Sequence, residues 1–251
     1  MTETRDPTSR FSDRAGDYVK FRPQYPLEAM RAALGSRGDG QRARVADVGA
    51  GTGISSRLLA RCGATVFAVE PNAAMRGAAE PDPSVTWIDG TAEATTLESR
   101  SVDVVVAAQA FHWFRPEPAL REFSRILVPV GHVALLWNVR DETDSFTHEY
   151  SSIMRRHAID ASVDKDLQLE SLRRCAWFTG YEQLQFEGVR QRLGPEALLG
   201  RAVSSSYAPK EGDANRLLCE DLQEACRRAQ DQDGCVTLRY QTLVVRASVR
   251  A

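Results

Sequence analysis

Residues Asp47-Val48-Gly49-Ala50-Gly51-Thr52-Gly53 place three glycines at alternate positions, directly after an apolar run and directly before a stretch with helical spacing. Glycine reaches backbone conformations that strain other residues, and without a Cβ it lets a ligand lie against the main chain. The helix that follows presents N–H groups with no partner inside the helix, which suits polar groups of a ligand. Glu70 closes the next β-rich run, and in a parallel sheet a carboxylate there faces the ribose hydroxyls of a bound nucleoside. Loop, helix and acid together imply a nucleoside cofactor. The dinucleotide fingerprint G-x-G-x-x-G fails in both frames, since Ile54 or Ser56 stands where its third glycine belongs. That glycine lets helix and strand close up around a pyrophosphate, which a phosphate-free nucleoside does not require.

A second set of residues could handle the other reactant. Phe111-His112-Trp113-Phe114 follows the apolar run Val102–Gln109, at the carboxyl edge where open α/β sheets bind ligands. His112 could serve as a general base or donate a hydrogen bond, or simply be satisfied among its aromatic neighbours. Trp113 could wall an acceptor pocket, while Phe111 and Phe114 read as packing. Arg140 could clamp a carboxylate through two parallel N–H groups, or pair with Asp141 in a solvated loop. Cys219 and Cys226 share one helix face and read as core-facing residues.

Periodicity shows which elements must position these groups. Arg44–Val48, Thr65–Glu70, Val85–Asp89, Val102–Gln109 and His132–Trp137 read as strands, with helices at Ile54–Arg61, from Asn72 through Met75, and at Pro116–Leu127. Asn72 suits the N-cap of the short helix. The near-continuous apolar character of Val102–Gln109 fits a central parallel strand covered on both faces. This alternation builds βαβ units and a parallel sheet. Past Asn138, Ser145–Ala158 reads as a helix, Asp160–Glu170 as a polar loop, Tyr181–Arg190 as a strand, Pro195–Val203 and Ala214–Gln230 as helices, and Val236–Val249 as a last strand. Paired antiparallel, the two late strands would form one edge of the sheet.

Composition excludes more than it selects. At 251 residues the chain is one large domain or one domain with an insert, given domains of about 100–200 residues. A net charge of −2 argues against a nucleic-acid partner, which a basic excess would attract. No apolar run approaches a membrane span, which needs about 18 residues, and the polar N-terminus has no signal-peptide core. The five cysteines form no Cys-x-x-Cys pair, so neither a disulfide framework nor a metal site is expected, and a cytoplasmic location fits.

Six ordered segments resemble the type 11 family of class I S-adenosylmethionine (SAM)-dependent methyltransferases, in particular its trans-aconitate methyltransferase-like branch. They are Phe11-Ser12 with Tyr18 and Arg22–Pro26, Asp47–Gly53, Ala68–Asn72, Gly90–Glu93, Ala108–Phe114 and Leu136–Asn138. A further motif, Ser204–Tyr207, is similar to one in the family's cap region, which makes Tyr207 an acceptor-side candidate with Trp113 and Arg140. The resemblance implies that Asp47, Gly49, Ala50 and Gly51 form the methionine-side loop and that Glu70 holds both ribose hydroxyls. It also implies that Asn72 and Met75 flank the adenine, Thr91 and Ala92 meet its edge, and Gln109 stands near the methionine end. Many relatives carry Asp where this chain has Thr91, so that contact is expected to be weaker. Tyr18 and Arg22 would belong to an N-terminal segment closing over the cofactor.

The expected fold is therefore α/β and Rossmann-like: a seven-stranded mixed sheet of order 3-2-1-4-5-7-6 with helices on both faces, an N-terminal lid and helical cap insertions. As one methyltransferase domain it divides into a lid (1–40), a SAM-binding core (41–140), and cap helices with C-terminal strands (141–251). The expected activity is methyl transfer from SAM, leaving S-adenosylhomocysteine, to a carboxylate or hydroxyl oxygen of a small molecule, by a monomer or homodimer. Two alternatives stand beside it: a non-catalytic SAM-binding protein, and a nicotinamide-dependent oxidoreductase, for which no Tyr-x-x-x-Lys pair is visible.

Overall fold

Residues 23–35, 42–160 and 168–250 are described by a computed structural model. Along them the elements run α1 (Leu27–Leu34), β1 (Arg44–Val48), α2 (Ile54–Arg61), β2 (Thr65–Val69), α3 (Ala73–Gly77), β3 (Val85–Ile88) and β4 (Val102–Ala108). A 3₁₀ turn at Phe111–Trp113 leads to α4 (Pro116–Ile126), β5 (Leu127–Arg140), α5 (Ser145–Arg156), α6 (Leu169–Arg174), β6 (Phe178–Leu193), α7 (Pro195–Val203), α8 (Gly212–Ala229) and β7 (Val236–Val249). The strands form one seven-stranded sheet of order β3-β2-β1-β4-β5-β7-β6. Pairing is parallel from β3 through β5 and antiparallel where β7 joins β5 and β6.

Alternation along each strand sends neighbouring side chains to opposite faces and so divides the core in two. Ala46, Val48, Val105, Ala107, Leu135 and Trp137 meet α4 through Leu120, Phe123 and Ile126 on one face. Val45, Val104, Val106, Ala134 and Leu136 meet α1 and α2 on the other, through Met30, Leu58 and Leu59. A third cluster gathers α5, α7 and α8 over the ends of β6 and β7, with Phe146, Tyr150, Leu198, Leu218 and Leu222 buried. The helices expected as cap insertions thus share a small core of their own.

Several expectations need correction. Leu27–Leu34, not expected as a helix, is α1; Ala29, Met30 and Ala33 are fully buried beneath the sheet. The fifth strand is much longer than His132–Trp137, starting directly after α4 and ending on Arg140, which is therefore the strand's last residue and does not follow it. Pro129 and Gly131 disguise its start, where the pairing with β4 shifts register. The strand expected at Tyr181–Arg190 extends to Phe178–Leu193; its two register shifts and mostly polar exposed face mark it as an edge strand, where bulges and charge discourage pairing with other chains. The polar stretch Asp160–Glu170 ends in a helix, since α6 begins at Leu169. Tyr18 and Arg22 lie outside the described residues.

Candidate cofactor and acceptor site

The glycine loop turns between β1 and α2 with Gly49 and Gly51 at φ of +71° and +58°. The two glycines are required for different reasons. A Cβ on Gly49 would stand 2.7 Å from Cβ of Ala110, inside the protein's own packing. A Cβ on Gly51 would meet nothing closer than Cε of Met75 at 3.7 Å and would instead fill the cavity that Gly51 borders. The loop is tied to β2: Gly49 N–H donates to the Val69 carbonyl at 2.9 Å, and Gly51 N–H donates to Glu70 Oε2 at 2.9 Å.

Glu70 links three parts of this end. Its other oxygen accepts from Asn72 N–H at 2.9 Å, while its backbone carbonyl accepts from Arg76 at 2.5 Å. Each carboxylate oxygen therefore accepts one backbone N–H and keeps capacity for one further donor. Burial pushes the Glu70 carboxyl above its ordinary value, against the hydrogen bonds from Asn72 and Gly51 and the charge of Arg76. Asn72 caps α3, its Oδ1 accepting from Ala74 and Met75 N–H at 2.9 and 3.2 Å, as expected from its position.

Across the cavity, Gln109 directly follows β4 at φ +53°, a left-handed conformation that strains a residue with a side chain. It is held from β5: its N–H donates to the Leu136 carbonyl at 2.8 Å and its side-chain amide to the Asn138 carbonyl at 3.0 Å. The loop carrying Thr91 and Ala92 is pinned to α4, because Thr95 donates both N–H and hydroxyl to Glu122, itself paired with Arg125. Glu122 and Thr95 escape a reading by motif because they act through the backbone of that loop.

These groups border a cavity of about 360 Å³, within the range of small-molecule sites. Its walls bring together Gly49, Ala50, Gly51, Glu70, Asn72 and Met75 with Thr91, Ala92, Gln109 and Trp113, all singled out in the sequence. Asn138, Arg201 and Tyr240, none of them expected as ligand contacts, line it too, as do Tyr25, Phe114 and Arg115. Asn138 was visible only as part of a motif. Arg201 carries a fainter signal: it lies three positions after Leu198, on the apolar side of a predicted helix.

Four expected residues stand behind the walls. Asp47 is fully buried, and its Oδ2 accepts from Ser55 and Ser56 hydroxyls at 2.7 and 2.6 Å, so it anchors the start of α2 beneath the loop. Burial, opposed by the two serine bonds and reinforced by nearby Glu70, raises its pKa to about 6. His112 Nδ1 accepts from the Trp137 indole N–H at 3.3 Å. In that bond Nδ1 is the acceptor, which leaves Nε2 as the ring's position for a proton. The Arg140 guanidinium lies over the Tyr150 ring, 5.5 Å from its centroid. Tyr207 packs against the cap cluster, and its carbonyl accepts from Ile159 N–H.

The site suits the ribose hydroxyls of a nucleoside. Glu70 retains acceptor capacity beside an open glycine face, and among the described residues no group of His, Cys, Asp or Glu could hold a metal ion. A family profile described as a methyltransferase domain matches residues 46–135. An uncharacterized methyltransferase of Mycobacterium tuberculosis is 33% identical over 250 residues, covering 98% of each chain. An uncharacterized methyltransferase-like protein of Schizosaccharomyces pombe is 34% identical over 153 residues, 60% of each chain. A solved structure from Anaeromyxobacter dehalogenans, assigned provisionally to the type II methyltransferases, has a TM-score of 0.63 and 26% identity, covering 92% of this chain and 98% of its own. The chain belongs to the class I SAM-dependent methyltransferases, with SAM as its cofactor. No helix among the described residues is long and apolar enough to cross a membrane.

Proposed function

We propose that this chain transfers the methyl group of SAM to an oxygen of a small molecule, a carboxylate or a hydroxyl. The observation that carries this reading is the single cavity shared by a nucleoside-type wall, Gly51 with Glu70 and Asn72, and a second wall of Trp113, Asn138, Arg201 and Tyr240. Glu70 would accept from the ribose hydroxyls, Asn72 and Met75 would flank the base, Thr91 and Ala92 would meet its edge, and Gly49, Ala50 and Gln109 would line the methionine side. Asp47 serves the same end from below by fixing the loop. When bound, SAM supplies a methyl group on a sulfonium, already activated for in-line displacement. The protein's task is then chiefly to hold the acceptor oxygen in line at about 3–3.5 Å and to exclude water. His112 would hold Trp137 in the core and pack beside Trp113 in the wall, and a carboxylate acceptor would need no base at all.

Isothermal titration with SAM and with S-adenosylhomocysteine tests the cofactor half; micromolar binding of both is expected, and binding of NADH instead would overturn it. Transfer of radiolabelled methyl from SAM into a panel of small acids and alcohols tests the rest. Tight SAM binding without transfer to any of them would favour a non-catalytic SAM-binding protein.

A further inference from the structure

Arg201 is 7% exposed, borders the cavity, and has no carboxylate within ion-pairing distance among the described residues. Its Nη1 donates to Ser205 Oγ at 3.2 Å, the Tyr240 hydroxyl is a further partner, and Nε has none among the described residues. Nearby, the buried Tyr150 hydroxyl also lacks a partner among the described residues. Burying a cation without an anion is strongly unfavourable, and folded proteins pair such groups or use them. The end of α7 is braced to keep this arrangement: Lys210 donates to the carbonyls of Val203 and Ser205, and Ser204 Oγ donates to the Arg201 carbonyl.

Position separates this cation from the nucleoside end. Tyr240 lies on β7, beyond β4 and β5 from the glycine loop on β1. At about 4.8 Å per strand that is three spacings, about 14 Å. Arg201 therefore stands on the side of the cavity left for the acceptor. We propose that Arg201, with Tyr240 and Asn138 beside it, is the specificity-determining subsite for a carboxylate of the methyl acceptor. Of the cavity's two arginines, Arg115 is paired with Glu93 at 3.7 Å, which leaves the Arg201 guanidinium to balance one negative charge; a phosphate dianion would bring a second. The inference rests on the methyltransferase reading and adds the substrate's charge class and the residue that selects it.

The test uses the full chain saturated with S-adenosylhomocysteine, titrated calorimetrically with succinate, citrate, phenylacetate, phenyl phosphate and, as the neutral partner, phenylacetamide. At least one carboxylate is expected to bind in preference to phenylacetamide and phenyl phosphate. Arg201→Met should weaken that binding about 30-fold or more while leaving S-adenosylhomocysteine affinity unchanged. Arg201→Lys, which keeps the charge and loses the fork, should fall between. Free Arg201→Met protein should melt about 3 °C or more above wild type, because an unpaired buried charge is gone. A panel without a binding carboxylate, equal binding of acid and amide, preference for the phosphate, or an unaltered response in Arg201→Met would overturn the proposal. So would a fall in S-adenosylhomocysteine affinity in that variant, which would assign the guanidinium to the cofactor's own carboxylate. Carboxylate binding by a protein that fails to bind S-adenosylhomocysteine would sink the cofactor reading and leave the subsite standing.

Discussion

The two ends of the cavity are built by opposite means. At the nucleoside end the contacts come from a tight turn and its flanking strands: Gly49, Gly51, Glu70 and Asn72 are close in sequence, and backbone N–H groups meet one carboxylate. At the far end Asn138, Arg201 and Tyr240 come from β5, α7 and β7 and meet only because the antiparallel edge and the cap cluster fold together. A recognition surface made from main chain depends on local conformation and can serve one cofactor in many sequences. One made from scattered side chains is free to change with the acceptor.

Gly51→Val should sharpen the contrast most. SAM affinity is expected to fall more than about 100-fold, because the branched side chain would occupy the cofactor's space. The fold should survive with a loss of about 1–2 kcal/mol from the left-handed backbone, visible by circular dichroism. Normal affinity in a folded variant would break the assignment of this end. Gly49→Val is the control, and it should lose the fold itself, since a Cβ there meets Ala110 at 2.7 Å.

Glu70→Gln should come next, with SAM binding weaker by about 2 kcal/mol as charge-assisted acceptance from ribose is lost. Unchanged affinity by calorimetry would remove Glu70 from the site. Asp47 has a pH signature. Its folded pKa of about 6 lies above the unfolded carboxylate range, so the native state holds the proton more tightly and stability falls as pH rises from about 4 to about 6. Asp47→Asn should flatten that part of the curve, worth about 3 kcal/mol, in denaturant titrations at several pH values. An unaltered slope would show that burial there is not felt by the charge. Smallest should be Arg140→Ala: the loss of a contact with the Tyr150 ring, about 0.5–1 kcal/mol, with SAM affinity within about twofold of wild type. A large loss of affinity would return Arg140 to the cavity.

The sequence by itself determined the glycine loop, the acidic partner and the cap at Asn72, because each depends on residues near one another and on periods of two or 3.6; the strand order was implied by the resemblance to class I SAM-dependent methyltransferases, since it rests on pairings between distant segments. It showed less where local and tertiary signals conflict. Pro129 and Gly131 conceal the start of β5, and the polar face of β6 weakens its strand signal, since partners far along the chain supply the pairing. Only the tertiary structure decided that Arg201 lines the cavity while His112 and Arg140 do not. A side chain's direction depends on what its element packs against, and the surroundings of α7 are set by α5, α8 and the ends of β6 and β7, of which α5 and β7 lie far from it in the chain. Burial of an arginine is likewise a property of the assembled cap, which local spacing does not encode.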